Sequence, residues 1–174
     1  PDVLEGAMEN PGLMMFKESL VLLDEKTAPP NRLLWAQLAL AHELSHSYFG
    51  NAVTPSTWQE AWIFESLSTW MAQRLVRQIA PKQDIDILRS AGISRLMRLD
   101  IHRETPPLRG QGAGTEEVAH RGDGWANAKG SALMQMLHEW LGESVFRDSL
   151  RTLLKSREYA SASADDLVRV LETG

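Results

Sequence analysis

The chain contains no cysteine. That excludes disulfide bonds and thiolate metal sites, and it leaves the redox compartment open. No apolar run is long enough to cross a bilayer, so no membrane span is expected. The order of charged, apolar and small residues that marks a signal peptide does not open the chain. Basic residues are in deficit, with 18 Lys and Arg against 23 Asp and Glu and a net charge of −5. This balance argues against nucleic acid, whose phosphates call for basic patches. It suits a substrate with a positive charge, such as a free peptide amine. None of these features assigns a compartment, and the cytoplasm is slightly favoured. The first residue is Pro1 rather than Met, which points to a fragment or a processed chain. No internal repeat is visible.

What is present suits one domain, since 174 residues with 43% hydrophobic content can build a core. Residues 13–23 are short apolar runs broken by Lys17-Glu18, which read as two strands or a bent edge strand. Pro29-Pro30-Asn31 stops extended structure and offers Asn31 as a helix N-cap. Leu34, Leu38, Ala41, Ser45 and Tyr48 then keep helical spacing up to a stop at Gly50-Asn51. Thr57-x-x-Glu60 fits a capping box for a second helix that ends before Pro81. Further helices are expected over 84–102, 125–141, 143–155 and 164–172, the last capped by Ser163-x-x-Asp166. The proline- and glycine-rich stretch 105–124 reads as a loop.

The chemistry concentrates in His42-Glu43-Leu44-Ser45-His46, followed after eighteen residues by Glu65. Two histidines four apart share one helix face, so both imidazoles reach a common metal. Glu43 stands beside the first of them and can take a proton from a metal-bound water. A third ligand from another segment, Glu65, leaves the fourth tetrahedral position of one zinc ion open for water or substrate. A single helical histidine is ordinarily a satisfied core or surface residue, and the five-residue match alone does not establish a site. Glu65 in a second helix strengthens it. Gly6-Ala7-Met8-Glu9-Asn10 upstream strengthens it further, because chance does not readily supply all three in this order.

On these residues the whole chain resembles the catalytic domain of the zinc aminopeptidases typified by aminopeptidase N and leukotriene A4 hydrolase. Gly6 to Asn10, continued by Pro11-Gly12-Leu13, matches the family's exopeptidase motif. His42 to Asn51 matches the zinc-helix motif and its tail, and Trp58, Trp62 and Glu65 keep the spacing of the segment with the third ligand. Lys129-Gly130, Leu141-Gly142-Glu143 and Phe146-Arg147 match later helices. The resemblance implies an α+β, thermolysin-like fold, mostly helical, with a small N-terminal mixed sheet and one zinc between sheet and helices. It divides 1–174 into a sheet-rich part (1–30), zinc-binding helices (31–80) and a helical remainder (81–174). Pro1-Asp2 looks like a strand entering the exopeptidase motif, so a truncated start and further domains of a larger parent protein are expected.

The resemblance also assigns roles. It implies peptide substrates with a free N-terminus, cleaved at the first bond, with Glu9 binding the α-ammonium. The backbone of Gly6 and Ala7 would line the substrate. Glu60, where the family carries an aspartate, is either a support for a ligating histidine or a helix cap. One departure concerns catalysis. Asn127 stands where the family places a tyrosine that stabilises the oxyanion, a register supported by Glu117, Val118 and Asp123. Loss of one oxyanion donor typically costs about 10²–10³ in rate, so reduced or altered activity is expected, with His120 a weak substitute. Ser66 and Phe64 also depart from the family's glycine and asparagine. Three rivals stand beside the aminopeptidase reading. They are an endopeptidase on the same triad, a weakened or inactive domain serving as a zinc-stabilised binding or scaffold module, and an epoxide hydrolase side activity that no residue specifically supports.

Overall fold

The computed structural model describes residues 6–24, 26–102, 107–109 and 125–174, with backbone alone at 82, 83, 125 and 126. The strand expected at Pro1-Asp2 lies outside these residues. So do Glu117, His120, Asp123 and nearly all of the 105–124 loop. In chain order the elements are β1 (Ala7–Met8), β2 (Met15–Phe16), α1 (Glu18–Val21), α2 (Pro30–His46), β3 (Val53–Pro55), a 3-10 turn (Trp58–Glu60), α3 (Ala61–Ile79), α4 (Lys82–Ile101), α5 (Trp125–Leu141), α6 (Glu143–Ser156), β4 (Ala160–Ala162) and α7 (Ala164–Thr173). The protein is mostly helical with a small strand content, as the periodicity implied.

Helix α3 is the centre of the packing, with α2 on one side and α5 on the other. Its apolar residues therefore feed two cores. Ile63, Phe64, Leu67 and Trp70 join Phe49, Val53, Met134 and Phe146 in the larger one. Ala72 and Val76 meet Leu34, Leu38, Ala41 and Ile85 in the smaller. Each fully buried leucine contributes roughly 1.5–3 kcal/mol, so α2 is held to α3 mainly by Leu34 and Leu38, with the smaller Ala41 beside them. Those three recur at helical spacing, which leaves the face with the two histidines turned toward α3.

The sheet content differs from the expected single mixed sheet. Among the described residues there are two separate ribbons. β1 pairs antiparallel with β2, and β3 pairs parallel with β4. The second ribbon joins segments more than a hundred residues apart and carries little apolar alternation, so no local pattern announced it. Residues 17–22 turn into the short helix α1 where a strand was expected. Helix α2 begins two residues earlier than expected, at Pro30, with Pro29 and not Asn31 at the cap position. Proline suits the first helical position, where its missing N–H has no partner to lose. Tyr48, counted into the α2 pattern, lies beyond the helix end and is exposed. Thr57 and Glu60 form no capping box either, since the Thr57 side chain caps nothing. By contrast Ser163 and Asp166 form theirs reciprocally at the start of α7.

Two close approaches position the site. At the end of α2 the chain folds back, with Ser47 N–H on Leu44 O and Asn51 N–H on His46 O. Gly50 has φ +141°, and a Cβ there would lie 3.2 Å from His46 Nδ1. A side chain at this position would press on the ring. The second approach lies between α3 and α5, where a Cβ on Gly130 would fall 1.7 Å from Ser66 Oγ and 2.7 Å from Ser66 Cβ. Glycine at 130 is what lets these helices touch there. Asp100 and Lys129 add an ion pair of 2.9 Å between α4 and α5.

Candidate metal centre

The last two turns of α2 present His42 and His46 side by side, with ring centroids 4.5 Å apart and planes nearly perpendicular. Their Nε2 atoms are 3.0 Å apart. Glu65, in the second turn of α3, turns one oxygen to each ring, Oε2 to His42 Nε2 at 3.3 Å and Oε1 to His46 Nε2 at 3.5 Å. The edges of this triangle match the separation of about 3.3 Å between ligand atoms of a tetrahedral zinc bound at 2.0–2.1 Å. The other nitrogen of each ring is occupied. His46 Nδ1 faces Phe49 O at 2.8 Å and Ser68 Oγ at 3.2 Å, and His42 Nδ1 faces Thr69 Oγ1 at 3.2 Å. The Phe49 carbonyl can only accept, so His46 carries its proton on Nδ1 and directs a lone pair from Nε2 to the centre. A borderline cation between two imidazole nitrogens and a carboxylate satisfies all three donors, and the residues fit zinc.

Glu43 is 7% exposed. Burial pushes its carboxyl up to about 7, Glu9 and Glu65 push the same way, and His46 opposes them. A carboxyl poised near neutrality is suited to accept and return a proton. Glu65 is half-buried, and desolvation by itself raises its carboxyl. The hydrogen bond with His42, the charges of both histidines and an amide bond from Asn127 outweigh that and hold it below the usual carboxylate range.

Glu9 reaches the same place from β1. One ligating atom each of Glu9, Glu43 and His46 lies within 4.8 Å of the others. Its backbone is tied down from the turn that follows α2, as Asn51 Nδ2 donates to Glu9 O at 2.9 Å. Gly6 and Ala7 lead into Glu9 along β1. The Gly6 carbonyl accepts from Lys17 N–H at 2.8 Å, and Ala7 pairs with Phe16.

Glu60 serves neither histidine. Buried at 2% exposure, it accepts from Ala164 N–H at 3.1 Å and pairs with Arg109 at 2.7 Å. It thus caps α7, not its own helix, and of its two expected roles only capping has a counterpart, displaced to another element. Asn127 donates from Nδ2 to Glu65 Oε2 at 3.1 Å. Sequence reasoning missed Ser68 and Thr69 behind the histidines. Their positions three and four residues after Glu65, one turn along the same face, were the available signal.

A peptidase family M1 domain matches the chain over residues 1–174. The chain belongs to peptidase family M1. Peptidases of this family are zinc metallopeptidases, and the donor set above agrees with that. Among similar curated proteins, Aminopeptidase M1 of Arabidopsis thaliana is 32% identical over 174 residues, which is 100% of this chain and 20% of that protein. Endoplasmic reticulum aminopeptidase 2 of Bos taurus is 30% identical over 167 residues, 96% of this chain and 18% of its own length. Leucyl aminopeptidase of Saccharolobus solfataricus is 31% identical over 168 residues, 96% of this chain and 21% of its own length. The chain therefore spans about a fifth of the length of these M1 relatives.

Proposed function

We propose that this M1 domain, read as one thermolysin-like catalytic domain over 1–174, removes N-terminal residues from peptides. The observation that carries the reading is the meeting of Glu9 with Glu43 and His46 beside the His42, His46 and Glu65 donor set. His42, His46 and Glu65 would hold one zinc ion, which when bound polarises the scissile carbonyl and acidifies water. Glu43, buried and with its carboxyl near neutrality, takes the proton of the attacking water and returns it to the leaving amine. Glu9 receives the substrate's α-ammonium, a charge-assisted contact that sets the first peptide bond at the reacting centre. The Gly6 and Ala7 backbone extends toward the substrate from β1. An endopeptidase would have no use for a carboxylate at Glu9's place.

A second reading has one observation in its favour. No tyrosine hydroxyl stands at residue 127, and the Asn127 amide is engaged with Glu65, so a zinc-stabilised binding module is the alternative. Metal analysis combined with hydrolysis of aminoacyl reporter peptides decides between them. Free-amine peptides should be cleaved and N-acetylated ones spared, and Glu43→Gln should retain zinc while losing about 10²–10⁴ in turnover. Bound zinc without Glu43-dependent turnover would establish the binding module, and equal cleavage of acetylated peptides would establish an endopeptidase.

A further inference from the structure

We infer that Asn127 is a positioning residue for Glu65: its side-chain amide fixes the carboxylate that completes the metal set and so tightens zinc binding. This rests on Glu65 being a zinc ligand. A glutamate side chain has three rotatable bonds, and the Glu65 side chain is 36% exposed, so water competes for its oxygens. The observed orientation gives each oxygen a separate task, Oε2 toward His42 and Oε1 toward His46. That arrangement holds only while the carboxylate plane is prevented from turning. Asn127 Nδ2, donating to Oε2 at 3.1 Å, is the contact that prevents it.

The rest of the fold explains why the amide stands there. Asn127 lies three residues before Gly130 on α5, on the same helix face. Glu65 lies one residue before Ser66 on α3. The bare Cα of Gly130 seats α5 against Ser66, and one turn earlier that seating delivers Asn127 to Glu65. The asparagine amide is short and ends at the carboxylate. A longer side chain starting from the same Cα would extend past it. The residue that departs from the family pattern has thus become part of the support behind the metal, and its amide is directed at a ligand.

The test measures zinc affinity by chelator competition in the full chain, for the wild type, Asn127→Leu and Glu65→Gln. Cobalt(II) spectra of the same proteins and thermal unfolding of the metal-free chains are recorded alongside. Asn127→Leu keeps the γ-branched shape and removes the donor. It should weaken zinc binding by about 10–100-fold and shift the cobalt bands, while kcat at saturating zinc falls only a few-fold. Where Asn127→Leu does not fold, Asn127→Ala makes the same comparison. Unchanged zinc affinity in a folded variant overturns the inference. If that comes with a fall in kcat of about 10²–10³, Asn127 acts on the oxyanion instead. Glu65→Gln reads the underlying site: normal zinc binding there removes the ligand assignment itself. Loss in Glu65→Gln without loss in Asn127→Leu removes only the role of Asn127.

Discussion

Replacing Gly130 by alanine should change the stability of this domain in opposite directions depending on residue 66. In a helix interior glycine to alanine ordinarily gains about 1 kcal/mol, because the unfolded chain loses freedom that folding no longer has to remove. Here the added Cβ would meet Ser66 Oγ at 1.7 Å and Ser66 Cβ at 2.7 Å. Rotating the hydroxyl relieves the first overlap. Nothing but movement of a helix relieves the second, and α5 must retreat by about 0.7 Å to reach ordinary contact. Overpacking of this kind costs about 1–3 kcal/mol, which exceeds the propensity gain, so Gly130→Ala should destabilise by up to ~2 kcal/mol. Ser66→Gly removes both offending atoms. In that background the nearest remaining atom to the new Cβ is the Cα of residue 66, at an ordinary contact of 3.6 Å, and Gly130→Ala should stabilise by up to ~1 kcal/mol. Urea unfolding of the four proteins forms a double-mutant cycle that reads the sign change directly. Chelator competition on the same proteins adds a functional reading, since retreat of α5 carries Asn127 away from Glu65 and should weaken zinc binding. The same effect of Gly130→Ala in both backgrounds would refute the packing argument.

Glu60→Ala leaves Ala164 N–H and Arg109 without their partner. It should lower unfolding stability by about 1–3 kcal/mol with zinc affinity unchanged, because Glu60 touches neither histidine. Asn51→Ala removes the tie to the Glu9 backbone. Steady-state kinetics should show KM for free-amine peptides rising several-fold with kcat little altered, the pattern of weakened ground-state binding. Asp166 supplies a pH test. Burial raises its carboxyl, but bonds from the Ser163 backbone N–H, from Arg157 and from the Ser163 hydroxyl, with the Arg157 charge, outweigh this and hold it below the ordinary value of 3.8. A depressed carboxyl stabilises the fold above its unfolded pKa and loses that contribution as pH falls through its folded one. Asp166→Asn should therefore be less stable than wild type near neutrality in urea titrations, and the gap should close in acid below pH 3.8.

Among the described residues, the six α-helices after residue 29 were legible because each depends on local order: apolar spacing, glycine or proline at the ends, and in α7 a reciprocal Ser163–Asp166 cap. The meeting of His42, His46 and Glu65, the proposed donor set, was legible for the same reason. His42 and His46 need only one helix turn to meet, and Glu65 needs only to begin the next helix. Elements held by distant partners were not legible. β3 exists because residues 160–162 come alongside it, and α1 stands where short apolar runs suggested a strand.

By itself, then, the sequence determined the residue types of the proposed donor set, the helix carrying each of them, and the net negative charge. All of these follow from residue identity and spacing along one continuous helix or motif. Tertiary structure alone decided what stands behind each donor. Phe49 O and Ser68 fix His46, Thr69 faces His42, Asn51 ties Glu9 in place, and Asn127 turns to Glu65. The same is true of Glu60, which belongs to a helix a hundred residues away. Those assignments depend on how α2, α3 and α5 seat against one another. That seating is set by close contacts such as Gly130 on Ser66, and no spacing within a single element encodes them.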